Sequence, residues 1–562
     1  MKKIVIASLI SAAFLSDGFV VLGAAPDMAP SLYRQEQLDQ ARQREAERNT
    51  RLTRPEVNIE TIRPKETGSI PESGASFRID AIQMDGQVEE LDFLDEIIAP
   101  HVHTEMGLSD VNHLVSALNQ KLMDRGYVTS QVVLPEQNIA GGTLRLLLVP
   151  GRFHQMVYSE GSDILPWRNA FPLRAGDILN LRQLEQGLEQ MKRLRSVDAS
   201  MKLLPSNIPG MTDVELTIHK GKQLSGNLSV DDSGMEDTGK IQWNIGFGID
   251  RLFNANDTFR FSGNTDGSRD GYAKGTRGES VYYAIPYGKD TWSVQFNHYN
   301  SRQTVHSNPY DFISSGKTNL LRFGFDHTIS RTATEKRSFD ASITRRTSHS
   351  FINDLEIPVQ AMNSTAFEMG LSDRIYIGND TLYLRAAQRI GTGWFGAKPD
   401  TDYADGPKTH YRMYMADIDY SHPFTMGHRP ASYTAFFHGQ WTAAGKRLYS
   451  VDSLSIGNRY TIWGFDGEYT LMGESGWYLR NELASSIPAI HSQAYFGIDV
   501  GAVYGDSTET LVGRTIAGAA IGIRGNFPSG IGYDIFLTRA LYKPDGYHTR
   551  RWVTGFTLNL AF

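Results

Sequence analysis

The sequence predicts an all-β transmembrane barrel of about 16 antiparallel strands, standing behind two small α+β modules. The first observation is alternation. In I-Q-W-N-I-G-F-G-I-D (241–250), Ile241, Trp243, Ile245, Phe247 and Ile249 share one side of a strand, and Gln242, Asn244, two glycines and Asp250 share the other. The second is spacing. About 16 such segments follow one another from residue 223, at intervals of roughly 20 residues rather than the 8 to 12 of a sandwich. The third is that long and short connections take turns. A ring of about 16 strands is too wide for side chains to fill, so the apolar face must meet lipid and the polar face a lumen.

Composition narrows the chemistry. The 562 residues can bury more than one core. A net charge of −7 gives neither a basic footprint for nucleic acid nor a long acidic tail. The chain has no cysteine, which excludes disulfides, thiolate metal sites and cysteine nucleophiles. Its 53 glycines and 25 tyrosines suit a large β structure.

Residues 1–25 have the order of a secretory signal peptide: Lys2 and Lys3, an apolar run from Ile4 to Leu15, then Gly23, Ala24 and Ala25. The apolar run is about a dozen residues, and a spanning helix needs roughly 20. Residues 26–51 follow, where Leu32 to Arg51 are helix formers carrying charges of both signs. By composition alone this is a solvated helix or a disordered arm. Prolines 55, 64 and 71 mark a linker over 52–76.

Two modules come next, 77–150 and 151–222, with punctuation repeating at an offset of about 70 residues: Pro135 with Pro205, Asn138 with Asn207, Gly151 with Gly221. In the first, a strand over Phe77–Met84 leads to a helix near Leu91–Ala99. A second helix, capped by Ser109, lines up Val111, Leu114, Leu118 and Leu122, and strands follow at Tyr127–Leu134 and Thr143–Val149. In the second, Asn180 caps a helix carrying Leu181, Leu184, Leu188, Met191 and Leu194, before strands at Val197–Leu204 and Val214–His219.

The barrel occupies 223–562. Its expected strands include segments near 279–286, 291–298, 318–327 and 337–347. Connections such as 299–317, 391–410 and 443–475 are long, whereas 251–256, 287–290 and 486–491 are short; short periplasmic turns and long extracellular loops give this rhythm. At the end Phe556, Leu558, Leu560 and Phe562 alternate up to the last residue, a final lipid-facing strand and a signal for barrel insertion.

No catalytic constellation stands out: there is no G-x-S-x-G, H-E-x-x-H or Walker loop. His101 and His103 lack a third metal ligand, and Arg345–Arg346 is a solvated lumen or rim feature. No metal, cofactor or catalytic residue is expected. The stretch with functional character is the longest loop, where G-N-R-Y-T-I-W-G-F-D-G-E (457–468) packs aromatics and charges between glycines.

The chain resembles the B-component transporters of two-partner secretion, the haemolysin-activator and filamentous-haemagglutinin-transporter type. The resemblance is carried by G-Y-V-T-S-Q-V-V-L-P-E-Q-N-I-A-G-G-T-L (126–144), S-I-G-N-R-Y-T-I-W-G-F-D-G-E (455–468) and G-W-Y-L-R-N-E-L (476–483), and it covers essentially the whole mature chain. It implies that the two modules are POTRA domains, and that residues 26–51, with Leu32, Arg34, Leu38 and Arg42, form an N-terminal plug helix. It also implies that Tyr127, Val128, Leu184 and Leu188 are candidates for binding a client. The sixth loop folds inward, and its tip motif Ile462, Trp463, Gly464 and Phe465 meets a lumen carboxylate, Asp499. The family pattern has arginine where this chain has Trp463, so Arg459, Arg480 or Arg524 is expected to supply the cation instead.

The resemblance further implies an outer-membrane transporter with POTRA domains in the periplasm that secretes one large partner protein bearing an N-terminal secretion domain. Its other partners would be outer-membrane lipid and, during biogenesis, the barrel-assembly machinery, with no nucleic acid and a monomeric state. The competing readings are a barrel-assembly factor, disfavoured by having only two modules, a porin with periplasmic binding modules, and an outer-membrane hydrolase, disfavoured by the missing nucleophile–base pair.

Overall fold

A computed structural model describes residues 30–53, 57, 76–267, 271–306, 310–401, 406–443 and 447–562. The expected signal peptide (1–25) and most of the expected linker (52–76) lie outside the described residues. Helix α1 (Pro30–Thr53) comes first.

The first module holds two small sheets. Strand β1 (Ser76–Ile79) pairs antiparallel with β3 (Thr104–Gly107), while β2 (Ala81–Asp85) runs parallel to β5 (Thr143–Val149), which also pairs with β4 (Gln131–Val133). Helix α2 (Leu108–Asp124) buries Val111, Leu114, Leu118 and Leu122 against them. Three sequence expectations are corrected. The single strand over Phe77–Met84 breaks at Asp80, because the Asp80 and Ala81 N–H groups both turn to the Gly142 carbonyl, at 2.7 and 3.1 Å, which sends the two halves into different sheets. The α2 cap is Gly107 rather than Ser109, its N–H donating to the Asp110 carboxylate at 2.8 Å. The strand expected from Tyr127 starts only at Gln131, since the Ser130 N–H closes a turn on the Tyr127 carbonyl.

In the second module β6 (Arg152–Tyr158), β8 (Met211–Lys220) and β7 (Val197–Pro205) form one sheet in the order β6-β8-β7, covered by helix α3 (Leu181–Lys192). Asn180 caps α3, its side-chain oxygen accepting the Arg182 N–H at 2.8 Å. Strand β6 has no counterpart in the sequence reading. The polar side of α3 is buried too: Glu185 is 0% and Glu189 2% exposed. It docks on the barrel, where Arg331 reaches Glu189 at 2.5 Å and Glu185 at 3.4 Å and Lys336 pairs with Glu189.

The barrel strands are β9 (Leu224–Asp231), β10 (Gln242–Asp250), β11 (Thr258–Asp266), β12 (Gly275–Tyr287), β13 (Asp290–Val305), β14 (Phe312–Arg331) and β15 (Glu335–Ile352). After a short hairpin piece, β16 (Leu355–Glu356), come β17 (Met362–Ile377), β18 (Asp380–Thr392), β19 (Arg412–Met426) and β20 (Arg429–Thr442). The sixth loop holds β21 (Leu454–Ile456) and β22 (Leu471–Gly473), and the wall resumes with β23 (Ser475–Ile487), β24 (Ser492–Tyr504), β25 (Thr515–Asn526), β26 (Ile531–Tyr542) and β27 (Val553–Ala561). Sixteen wall strands close, with β27 on β9; the Gly226 and Phe562 backbones exchange hydrogen bonds of 2.8 and 2.9 Å beside that seam.

The alternation points outward. Trp243 and Ile245 are 46% and 56% exposed, whereas Gln242, next to Trp243 in the same strand and turned to the lumen, is fully buried. Large apolar side chains at this density on an outer surface require a lipid environment. Several strands are longer than expected: β13 runs to Val305 and β14 starts at Phe312, which reduces the expected loop 299–317 to a short connection. The extensions rise beyond the apolar band, where no alternation announces them. The Arg345–Arg346 pair also splits. Arg345 faces outward, while Arg346 is buried in the lumen 3.5 Å from Asp452, so the second arginine is paired rather than solvated.

Candidate functional site: sixth-loop tip and lumen helix

Helix α1 lies inside the barrel. Its polar side chains, which make it look solvated in sequence, meet a polar lumen. Arg48 reaches Asp419 at 2.6 Å, Glu45 reaches Arg480 at 3.5 Å and Glu47 reaches Arg322 at 3.8 Å. Gln40 donates to the Val451 carbonyl at 3.2 Å and Gln37 to the Ser453 carbonyl at 3.1 Å, both on the sixth loop. Arg42 donates to the Tyr460 hydroxyl at 3.2 Å, Arg34 donates to the Glu468 carbonyl, and Leu38 is buried. Leu32 lies in the helix, but its side chain is outside what is described.

The loop between β20 and β23 folds inward and packs. Ile462 and Phe465 join Leu454, Ile456 and Leu471 of the loop in a cluster with Phe436, Tyr478, Val503 and Ile516 of the wall and Tyr547 of a neighbouring loop. Burying several such side chains, at about 1.5–3 kcal/mol each, holds the loop against the entropy of its length. Two glycines make the approach close enough. Gly464 has φ of 94°, a left-handed conformation. A side chain at Gly518 of β25 would start 1.7 Å from the Trp463 carbonyl oxygen.

Asp499 on β24 is fully buried and receives the tip. It accepts the Trp463 N–H at 3.0 Å, the Asn481 N–H at 3.2 Å and Arg480 Nε at 3.3 Å. Of the three candidate cations, only Arg480 contacts it. Arg459 pairs with Asp232, and Arg524 pairs with Glu482 at 2.5 Å. Arg480 also donates to the Tyr460 carbonyl at 3.2 Å and lies 5.0 Å from the centroid of the Trp463 ring, which packs against Ala484, Tyr495 and, at 4.9 Å, Phe536. One guanidinium therefore touches the wall carboxylate, the loop backbone, the indole and, through Glu45, the lumen helix. Nearby in the loop, burial pushes the Glu468 carboxyl up to about 7.

The module candidates are placed differently from one another. Leu184 and Leu188 are buried in the second module's core and offer no surface to a client, because their helix covers its own sheet with that side. Tyr127 and Val128 are partly buried, Tyr127 stacking on Phe93 at 6.0 Å. At the seam Phe562 and Leu560 are exposed on the lipid side, with Leu558 opposite Val230, and the Phe556 N–H donates to Asp232 at 3.0 Å. The buried acids of α3 escaped sequence reasoning. Glu185 and Glu189, four apart on the polar stripe of an amphipathic helix, look like solvent-facing residues until the barrel turn is set against them. Ser206, His154 and Asp213 also meet, but both partners address the same ring nitrogen, Nδ1, at 3.1 and 2.7 Å, which is not the geometry of a nucleophile–base relay.

Residues 210–525 match the haemolysin secretion/activation protein ShlB/FhaC/HecB family, and residues 77–151 and 152–205 match POTRA domains, the first of ShlB type. The outer membrane transporter CdiB-2 of Burkholderia pseudomallei (strain 1026b) is 35% identical over 551 residues, covering 94% of each chain. The hemolysin transporter protein ShlB of Serratia marcescens is 24% identical over 405 residues, covering 70% of each. Among solved structures, CdiB from Acinetobacter baumannii has a TM-score of 0.84 at 27% identity and covers 95% of this chain and 100% of that one. The chain belongs to the haemolysin secretion/activation protein family, the outer-membrane transporters of two-partner secretion, with a barrel of 16 strands and POTRA domains in the periplasm.

Proposed function

We propose that the chain exports one large exoprotein of the haemolysin or contact-dependent-inhibition toxin class, with no catalytic step, cofactor or metal of its own, and works as a monomer inserted by the barrel-assembly machinery. The POTRA domains take the partner's N-terminal secretion domain, with Tyr127 and Val128 the residues nearest a free surface. The partner then passes unfolded through the lumen once α1 and the sixth-loop tip give way. Folding outside drives the passage.

The observation that supports this reading is Arg480. It joins the two obstructions, Glu45 of α1 and the loop tip at Tyr460 and Trp463, to the fixed wall at Asp499. A plug and a gate that share one anchor can be released together. Trp463 acts here as a packing substitute for the family's arginine, with its backbone N–H and its ring occupying the site. The reading is tested by secretion of a large exoprotein encoded next to this chain's gene, as partners of this class usually are, with and without the chain, and with a W463R variant. Loss of export without the chain supports the reading, and unchanged export favours an assembly factor or porin. Export by W463R at or below the native level supports tryptophan as the working residue, and a large gain marks it as a defect.

A further inference from the structure

The register of β13, β14 and β15 fixes the height of every outward side chain above the periplasm. Reading toward the extracellular end, Val294, Phe323 and Ile343 form an apolar row, and Phe296, Leu321 and Arg345 the next. His298, Asn319 and Thr347 follow, then Asn300, Lys317 and His349. The apolar band therefore ends on a cation, and a second cation stands two rows above it, about 13 Å along the strands.

Neighbouring polar groups are paired: Arg302 with Asp354 at 2.6 Å, and the His349 ring with the Glu356 carboxylate at 2.8 Å. Lys317 and Arg345 are exposed and their side chains make no hydrogen bond or ion pair among the described residues; the Lys317 side chain only overlies the Phe351 ring at 5.2 Å. A guanidinium placed level with Leu321 and Phe296 has to lift its head out of hydrocarbon, and its long stem allows it to do so. Lys317 leans over Phe351, one row higher, so the row of His298, Asn319 and Thr347, with its amide and hydroxyl groups, lies between the two cations.

We propose that this patch binds the phosphorylated headgroup of an outer-leaflet glycolipid, a lipopolysaccharide. A ligand here must present an anion to two cations and apolar chains to Phe323, Phe296 and Ile343 directly beneath, a combination met by a phosphorylated lipid. It belongs to the outer leaflet because the patch is at the end of the barrel away from the POTRA domains.

The test uses the full-length chain in detergent with added lipopolysaccharide, read by native mass spectrometry. The wild type and Arg345→Lys, which keeps the cation, are expected to retain the glycolipid. A Lys317→Gln/Arg345→Gln double variant, checked as folded by heat-modifiable gel mobility, is expected to bind at least tenfold more weakly. Chemically dephosphorylated lipopolysaccharide is expected to bind wild type no better than the native glycolipid binds that double variant. Equal retention by the double variant, equal binding of the dephosphorylated form, or equal competition by phosphatidylglycerol would each overturn the assignment.

Discussion

Replacing Asp499 with asparagine isolates the anchor of the sixth loop. The carboxylate is fully buried and accepts three donors, but two of these, the Asn481 N–H and Arg480, belong to the neighbouring strand β23, which the ladder holds regardless. The loop itself loses the charge-assisted bond from the Trp463 N–H, and Arg480 loses the partner that aims it at the Tyr460 carbonyl. A hydrogen bond to a charged group contributes about 1.5–3 kcal/mol, and the loop's apolar cluster is untouched. Docking of the tip should therefore weaken by about 2–3 kcal/mol, or about 30- to 150-fold in the undocked population, at roughly 1.4 kcal/mol per decade. Chymotrypsin, cutting at Tyr460 and Trp463 in folded protein, reads that population directly when opening is fast relative to cleavage. Cleavage of D499N within twofold of wild type would refute the anchoring argument, since the Trp463 bond and the aimed Arg480 would then contribute nothing to docking.

Other consequences follow from the same geometry. Gly518→Ala should displace the tip, because its side chain would collide with the Trp463 carbonyl, and loop proteolysis should rise while barrel heat-modifiability stays native; a protected loop would count against the close approach. For Glu468 the docked value, about 7, lies above the ordinary carboxylate value, so the docked loop binds the extra proton. Docking is then complete below about pH 4.5 and weakens as pH climbs through about 7. Channel openings in planar bilayers should become more frequent from pH 5 to pH 8, and Glu468→Gln should flatten that slope; an equally steep slope in the variant would assign it to another group. Glu189→Lys puts a third cation against Arg331 and Lys336, and breaking a buried pair costs about 3–5 kcal/mol. Spin labels on the second POTRA domain and the barrel should report a broadened distance distribution, narrowed again by Arg331→Glu; an unchanged distribution would show that the acids do not hold the module.

The barrel was legible because lipid demands alternation, and the opening pattern around Trp243 and Ile245 could not be satisfied by a core. Strand ends were not, because β14 and β15 continue above the apolar band, where polar residues sit on both faces. Helix α1 was misread by composition alone, since a polar lumen accepts the same residues as water; only the family resemblance placed it. Alternation was enough to turn Asp499 inward, but choosing Arg480 over Arg459 and Arg524 needed cross-strand register. That signal was available. Counting seven residues back along each strand from the Ile487–Ser492 pair beside the tight turn brings Arg480 opposite Asp499. No comparable count finds Arg331 for Glu189, whose contact spans two domains.

The central claim is that the lumen filled by α1 is the export path. Gln40 of the helix touches Val451 of the sixth loop, and the chain has no cysteine of its own, so a Gln40→Cys/Val451→Cys pair gives a background-free tether. With the tether oxidised, secretion of the partner protein should stop, and reductant should restore it. Export that continues at the native rate through an oxidised, tethered transporter would contradict the account.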